Sequence, residues 1–166
     1  AASFYWIARV ITTVPFSKFM DKTDGEVDEF WFTVIGSYMM AFIPLFYIIS
    51  KQPWHIYLLG FINGLANSMA VPGWRISFTN HIDRSHMGYE WSMEDVGVGI
   101  AIALSSYIGA DLAEKFGFNI VMILISIIGS IGVTFFLIPL RGSMKHLREL
   151  KKAKRMNAPY KVDTLK

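Results

Sequence analysis

The sequence predicts an all-α membrane protein, a polytopic bundle of about five transmembrane helices. The first observation is composition, because 53% of the 166 residues are hydrophobic and only 17% are charged, whereas soluble domains carry about a quarter charged residues. The second is the length of the uncharged runs, since crossing a hydrocarbon core of about 30 Å takes roughly 20 mostly apolar residues. A soluble chain of this length could not surround several such helices with other helices and a polar shell.

Five apolar runs follow one another between residues 1 and 140, and we interpret them as one domain. The first run looks like the inner part of a span that begins earlier, so we expect the chain to be a fragment of a longer protein. The second carries no charge, the third contains one His and two Asn, the fourth is short and glycine-rich, and the fifth is the longest uncharged run. The predicted spans cover about residues 1–17, 30–50, 54–74, 95–112 and 117–140.

Turn and cap residues support these boundaries. Pro53 follows a very short polar connection after the second run. Ser92 opens the pattern S-x-x-D with Asp95, a variant of the capping box that predicts the start of the fourth helix. Gly117 is expected to separate the fourth span from the fifth.

The basic residues predict the orientation, because cytoplasmic loops carry an excess of Lys and Arg. Residues 17–29, residues 75–95 and the tail from residue 141 hold thirteen of the sixteen Lys and Arg residues. The opposite side holds Lys51 and Lys115, and Arg9 lies within the first span. We therefore expect both loops and the basic tail, 141–166, to lie in the cytoplasm.

A polar stretch, "NHIDRSHMGYEWS" at residues 80–92, raises the alternative of a membrane-embedded metalloenzyme. His81, Asp83 and His86 form the pattern H-x-D-x-x-H, and such side chains bind zinc or iron. No further ligands cluster elsewhere in the sequence, and the chain has no Cys to supply a thiolate. We expect a solvated cytoplasmic loop instead, with no metal, no cofactor and no enzymatic activity.

Two stretches carry a resemblance to a known family. "VPFSKFMDKTDGE" resembles the loop motif G-x-x-x-D-[RK] of the major facilitator superfamily, with Asp21 and Lys22 at its charged end and Pro15 where a glycine is usual. "GWRISFTNHIDRSHMGYEWS" is similar to the connection between the tenth and eleventh helices of bacterial members, which reads roughly "HIDK…FEWS". "GVGIAIALSSYIGADLAEKFGF" is similar to their eleventh helix, which ends in "IGG-x-LA-x-x-x-GF", with Ala110 in place of the second glycine.

This resemblance implies helices eight to twelve of a twelve-helix transporter built from two halves. It implies secondary active transport of a small solute by alternating access, in the inner membrane of a bacterium. The partners would be the lipid bilayer, the solute and the missing N-terminal helices, with no nucleic acid. A five-span scaffold or regulatory subunit without flux of its own is the remaining alternative.

Candidate functional residues follow from polar groups within the spans and from the motifs. Asn63 and Asn67 lie one helical turn apart on one face, and with Arg9 they are the candidate substrate-binding residues. Interhelical hydrogen bonds for the asparagines and snorkelling of Arg9 to the headgroups are the alternatives. The candidate gating residues are Asp21, Lys22, Asp83, Arg84 and Glu90. The candidate helix-packing residues are Gly60, Gly64, Gly97, Gly99 and Gly109.

Overall fold

The computed structural model describes residues 2–20, 26–83 and 85–137 of the chain. The predicted gating residues Asp21, Lys22 and Arg84 and the basic tail lie outside this part of the chain. The five helices are α1 (Ala2–Met20), α2 (Glu26–Ile48), α3 (Pro53–His81), α4 (Met87–Phe116) and α5 (Phe118–Gly132). A π-helical turn, Val133–Leu137, continues α5. The described residues contain helices and no strands, which confirms the all-α prediction.

Three helical segments are long and apolar enough to cross a membrane by length and composition. They are Glu29–Ile48, Met87–Phe116 and Phe118–Phe135. Of the described helices, α1 and α3 do not meet this measure. Each carries polar or charged residues within its length, such as Arg9 in α1 and Asn63 in α3. Five transmembrane helices therefore remain a prediction.

Two helix boundaries differ from the predicted ones. Helix α3 contains Pro72 and continues to His81, because an internal proline removes one hydrogen bond without necessarily ending the helix. The predicted start of the fourth helix at Ser92 is wrong, since α4 begins at Met87. The Ser92 hydroxyl donates to the Gly88 carbonyl, 2.8 Å away, inside the helix. Gly117, with φ of +85°, separates α4 from α5 as predicted.

Helix α3 is the centre of the described bundle and packs against α1 and α2, while α5 packs against α2. Glycines allow the closest approaches. A Cβ at Gly36 of α2 would lie 2.5 Å from the Ala66 carbonyl oxygen of α3, and a Cβ at Gly64 of α3 would collide with the Tyr5 carbonyl of α1. These backbones are therefore close enough that even a methyl group would force them apart.

Helix α4 has a different environment. None of its residues is buried among the described residues, and its packing is chiefly against α5. Many of its exposed side chains are apolar, including Ile100, which is 56% exposed, and Leu104, which is 58% exposed. An exposed apolar helix requires lipid or other helices around it.

Candidate functional site

The polar seam between α1 and α3 is built from Thr13 and Ser68, which we call the hydroxyl pair. The two side-chain oxygens lie 3.1 Å apart, and Ser68 is fully buried. Thr13 donates to the Arg9 carbonyl at 2.6 Å. The single hydroxyl hydrogen of Ser68 is within reach of the Thr13 oxygen, the Gly64 carbonyl at 2.9 Å and the Arg9 carbonyl at 3.4 Å. The hydroxyl pair therefore joins the two helices at the turn that carries Arg9.

The Arg9 side chain is half-buried and lies about three helical turns before the end of α1. Its Nη1 donates to the Tyr5 hydroxyl at 3.3 Å. Its guanidinium carbon lies 5.1 Å from the centre of the Trp6 ring, within the range of a cation–π interaction. Both partners belong to α1, so the helix itself holds the guanidinium.

The two predicted asparagines are half-buried in α3. The Asn67 amide nitrogen donates to the Met40 sulfur of α2 at 3.7 Å. Its amide oxygen is buried and accepts no hydrogen bond within the part of the chain that the structure describes. Sulfur is a weak acceptor, so the hydrogen-bonding capacity of this amide is largely unused.

Among the described residues, no hydrogen bond joins the three predicted substrate-binding side chains to one another. The Arg9 side chain donates to Tyr5 of α1, whereas the Asn67 side chain donates to Met40 of α2. The sequence reasoning missed Thr13 and Ser68, although hydroxyls inside two of the predicted spans were a visible signal. Their partnership could not be read from the sequence because they are 55 residues apart.

Hydrogen bonds link described residues on the two sides of the connection between α3 and α4. The Asp83 carboxylate accepts from the Ser85 backbone N–H at 2.9 Å, and the Asp83 N–H donates to Glu90 at 3.3 Å. The rings of Phe78 and Trp91 meet edge to face beside the turn, with centroids 4.9 Å apart. Asp83 and Glu90 thus stabilise the turn itself. Their predicted role in gating remains a prediction.

Hydrogen bonding gives Asp83 an altered acidity. The Ser85 backbone N–H, with smaller contributions from the Ser85 hydroxyl and His86, lowers the pKa of the Asp83 carboxyl from its ordinary value. A slight desolvation opposes this shift. The carboxylate form is therefore the one that the turn stabilises.

The geometry does not support the metal-site alternative. The His81 Nδ1 donates to the Ser77 carbonyl at 2.7 Å, back along its own helix. The His86 Nδ1 lies 2.8 Å from the Ser85 hydroxyl and 3.6 Å from Asp83. No three His, Asp or Glu side chains are grouped as metal ligands in residues 2–20, 26–83 and 85–137.

The predicted packing glycines fall into two groups. Gly60 is buried in α3, and Gly64 lies in the close approach to α1 described above. Gly97, Gly99 and Gly109 of α4 have open space where a Cβ would lie, with no described atom within 4 Å. Any packing partner of these three glycines is thus outside the described residues, and their role remains a prediction.

Comparison with known proteins gives one match. The family model described as Major Facilitator Superfamily matches residues 1–161, nearly the whole chain. The comparisons with curated proteins and with solved structures found no match.

Proposed function

This chain belongs to the major facilitator superfamily, and we propose that it transports a small solute as a secondary active transporter working by alternating access. The observation that carries the proposal is the family match over residues 1–161. The apolar helices agree with an integral membrane protein. The family favours transport over catalysis, and neither the metalloenzyme nor the scaffold has a supporting observation.

By the motif resemblance, we assign the described helices to positions eight to twelve of the family's twelve-helix fold. In this assignment the exposed side of α4 packs against N-terminal helices of the same transporter. The open space at Gly97 and Gly99 supports the assignment, because small residues permit close helix contacts in membranes. Cross-linking a single Cys at Gly97 within the complete reading frame tests it. If the introduced Cys reacts with lipid-borne reagents alone and forms no cross-link to another helix, the assignment is contradicted.

The proposed orientation places the C-terminal tail in the cytoplasm of a bacterium, at its inner membrane. The support is the uneven distribution of Lys and Arg. A reporter fused after Lys166 that is active only in the cytoplasm should be active. A signal from a reporter active only outside the cytoplasm would reverse the assignment.

The transport proposal is tested in proteoliposomes made with the protein that the complete reading frame encodes. A proton or sodium gradient is imposed, and a panel of sugars, amino acids, carboxylates and nucleosides is offered. We expect at least one solute to accumulate in the lumen, as measured by mass spectrometry, and an ionophore to abolish the accumulation. No gradient-dependent accumulation by correctly inserted protein would contradict the proposal.

Asn67 provides a residue-level test of the same proposal. The change Asn67→Ala removes an amide whose oxygen has no acceptor role among the described contacts. We expect it to raise the half-saturating solute concentration by about tenfold. This corresponds to the loss of one hydrogen bond between uncharged groups, about 1.4 kcal/mol. Ser105→Ala is the matched control, because the hydrogen bonds of the Ser105 hydroxyl to described residues are to carbonyls of its own helix.

A further inference from the structure

The Arg9 side chain has more hydrogen-bond donors than the described residues satisfy. An arginine side chain carries five N–H donors in a planar fork. The Tyr5 hydroxyl is the one acceptor that the described residues offer it, and the Trp6 ring is an additional weak partner. No carboxylate forms an ion pair with Arg9 in the described ranges, where the ion pairs are His86–Asp83 and Lys115–Asp111.

The environment of Arg9 favours an anion. The residue is half-buried near the middle of a helix that we assign to the membrane. A charge at such a position is costly unless an opposite charge or a polar cavity compensates it. The guanidinium fork matches a carboxylate or a phosphate with two parallel hydrogen bonds. A neutral solute would satisfy donors but leave the charge uncompensated.

The hydroxyl pair fixes the backbone that carries this guanidinium. Thr13 and Ser68 both place their oxygens within hydrogen-bonding distance of the Arg9 carbonyl, at 2.6 and 3.4 Å. Ser68 is fully buried and belongs to α3, so it ties this turn of α1 to the neighbouring helix. The adjacent Thr12 makes a bond of the same type, to the Ala8 carbonyl at 2.7 Å, with no partner in α3 among the described contacts.

We propose that Arg9 receives an anionic group of the transported solute, and that the hydroxyl pair, Thr13 and Ser68, positions Arg9 for it. This inference rests on the proposed transport function and adds the chemical class of the substrate. Arg9 is the binding residue. Thr13 and Ser68 are positioning residues, because they act on its backbone rather than on the solute.

The test is chemical protection of Arg9 in the protein from the complete reading frame, embedded in vesicles. Phenylglyoxal, which modifies accessible arginines, is applied with inorganic phosphate, sulfate, acetate, succinate or gluconate, or with the neutral analogue succinamide. Peptide mass spectrometry follows Arg9 separately from Arg75, an exposed arginine in the C-terminal part of α3 that serves as the control. We expect at least one anion to slow modification of Arg9 by threefold or more, while succinamide does not and Arg75 is unaffected.

Four variants separate positioning from general damage. Thr13→Val and Ser68→Ala should lose most of the protection at Arg9. Thr13→Ser retains the hydroxyl and should therefore keep the protection at Arg9. Thr12→Val should also keep the protection, because it removes a hydrogen bond that stays within α1. An equal loss in Thr12→Val and Thr13→Val would overturn the positioning role.

Three further results would overturn the role of Arg9. The first is that Arg9 does not react with phenylglyoxal, and the second is that no anion slows its modification. The third is that anions protect Arg75 as well as they protect Arg9. The transport assay distinguishes this failure from failure of the proposed function. Accumulation of a neutral solute that survives Arg9→Gln would remove the anion inference and leave the transporter. Anion protection at Arg9 without any flux would remove the transporter and leave an anion-binding membrane protein.

Discussion

The α1–α3 seam and helix α4 are both rich in small residues, yet they are packed in opposite ways. At the seam, Gly64 brings two backbones together and Ser68 is fully buried between helices. In α4, Gly97 and Gly99 have no described atom within 4 Å of where a Cβ would lie, and the described residues bury no residue of this helix. Small residues therefore permit close packing without causing it. Whether close packing forms depends on the position of a neighbouring helix.

The largest expected effect concerns α4 as a membrane span. Ile100 lies near the middle of α4 and is exposed, so Ile100→Asp places a charge at the centre of a candidate span. We expect membrane insertion of α4 to become less favourable by about 3 kcal/mol. An insertion assay with a glycosylation reporter measures the change.

The control for this prediction is Tyr89→Asp. Tyr89 is also exposed but lies in the first turn of α4, where a charge can reach water. Its effect should be less than about 1 kcal/mol. Equal effects of the two changes would mean that Ile100 does not reach the hydrocarbon core.

The second prediction contrasts two glycines. In the 166-residue chain, Gly64→Ala should destabilise the fold by about 1–3 kcal/mol, because its Cβ would collide with the Tyr5 carbonyl. Gly97→Ala should change stability by less than about 1 kcal/mol, since helix propensity alone is affected. Thermal unfolding in detergent measures both, and a larger loss at Gly97 than at Gly64 would reverse the contrast.

The third prediction contrasts two serines. Ser68→Ala should destabilise the fold by about 0.6 kcal/mol, a typical value for an interhelical hydrogen bond in a membrane protein. Ser105→Ala should be close to neutral, because that hydroxyl bonds only within α4. In a double-mutant cycle, Ser68→Ala should couple to Thr13→Val and not to Thr12→Val. The absence of coupling to Thr13 would argue against the hydroxyl pair.

The smallest effect concerns the turn before α4, where Asp83 lies outside the three candidate membrane spans. Hydrogen bonds lower the pKa of Asp83 in the folded protein. The contribution of its carboxylate to the stability of the fold is therefore fully present above the unfolded pKa of about 3.9. The contribution is lost as pH falls through the lower folded value. The NMR shift of the Ser85 amide proton should therefore titrate with a midpoint below about 3.9. Asp83→Asn should abolish this titration, and a midpoint above 3.9 would contradict the assignment.

The sequence by itself determined the helical class and the break between α4 and α5. Long uncharged runs require helices in a membrane because the backbone must satisfy its own hydrogen bonds there, and the described residues are helical. Gly117 marked the break between α4 and α5, since glycine adopts positive φ without steric cost. The helix start predicted at Ser92 was wrong, because S-x-x-D is compatible with a helix interior as well as with a helix start.

Only the tertiary structure decided which polar residues meet. Asn63 and Asn67 were visible as polar groups in an apolar run, but local spacing could not show that the Asn67 amide donates to Met40 of α2. The bond between Thr13 and Ser68 depends on how two distant helices pack. Helical periodicity fixes the face on which a side chain lies, whereas the partner on that face is set by packing between segments far apart in the chain.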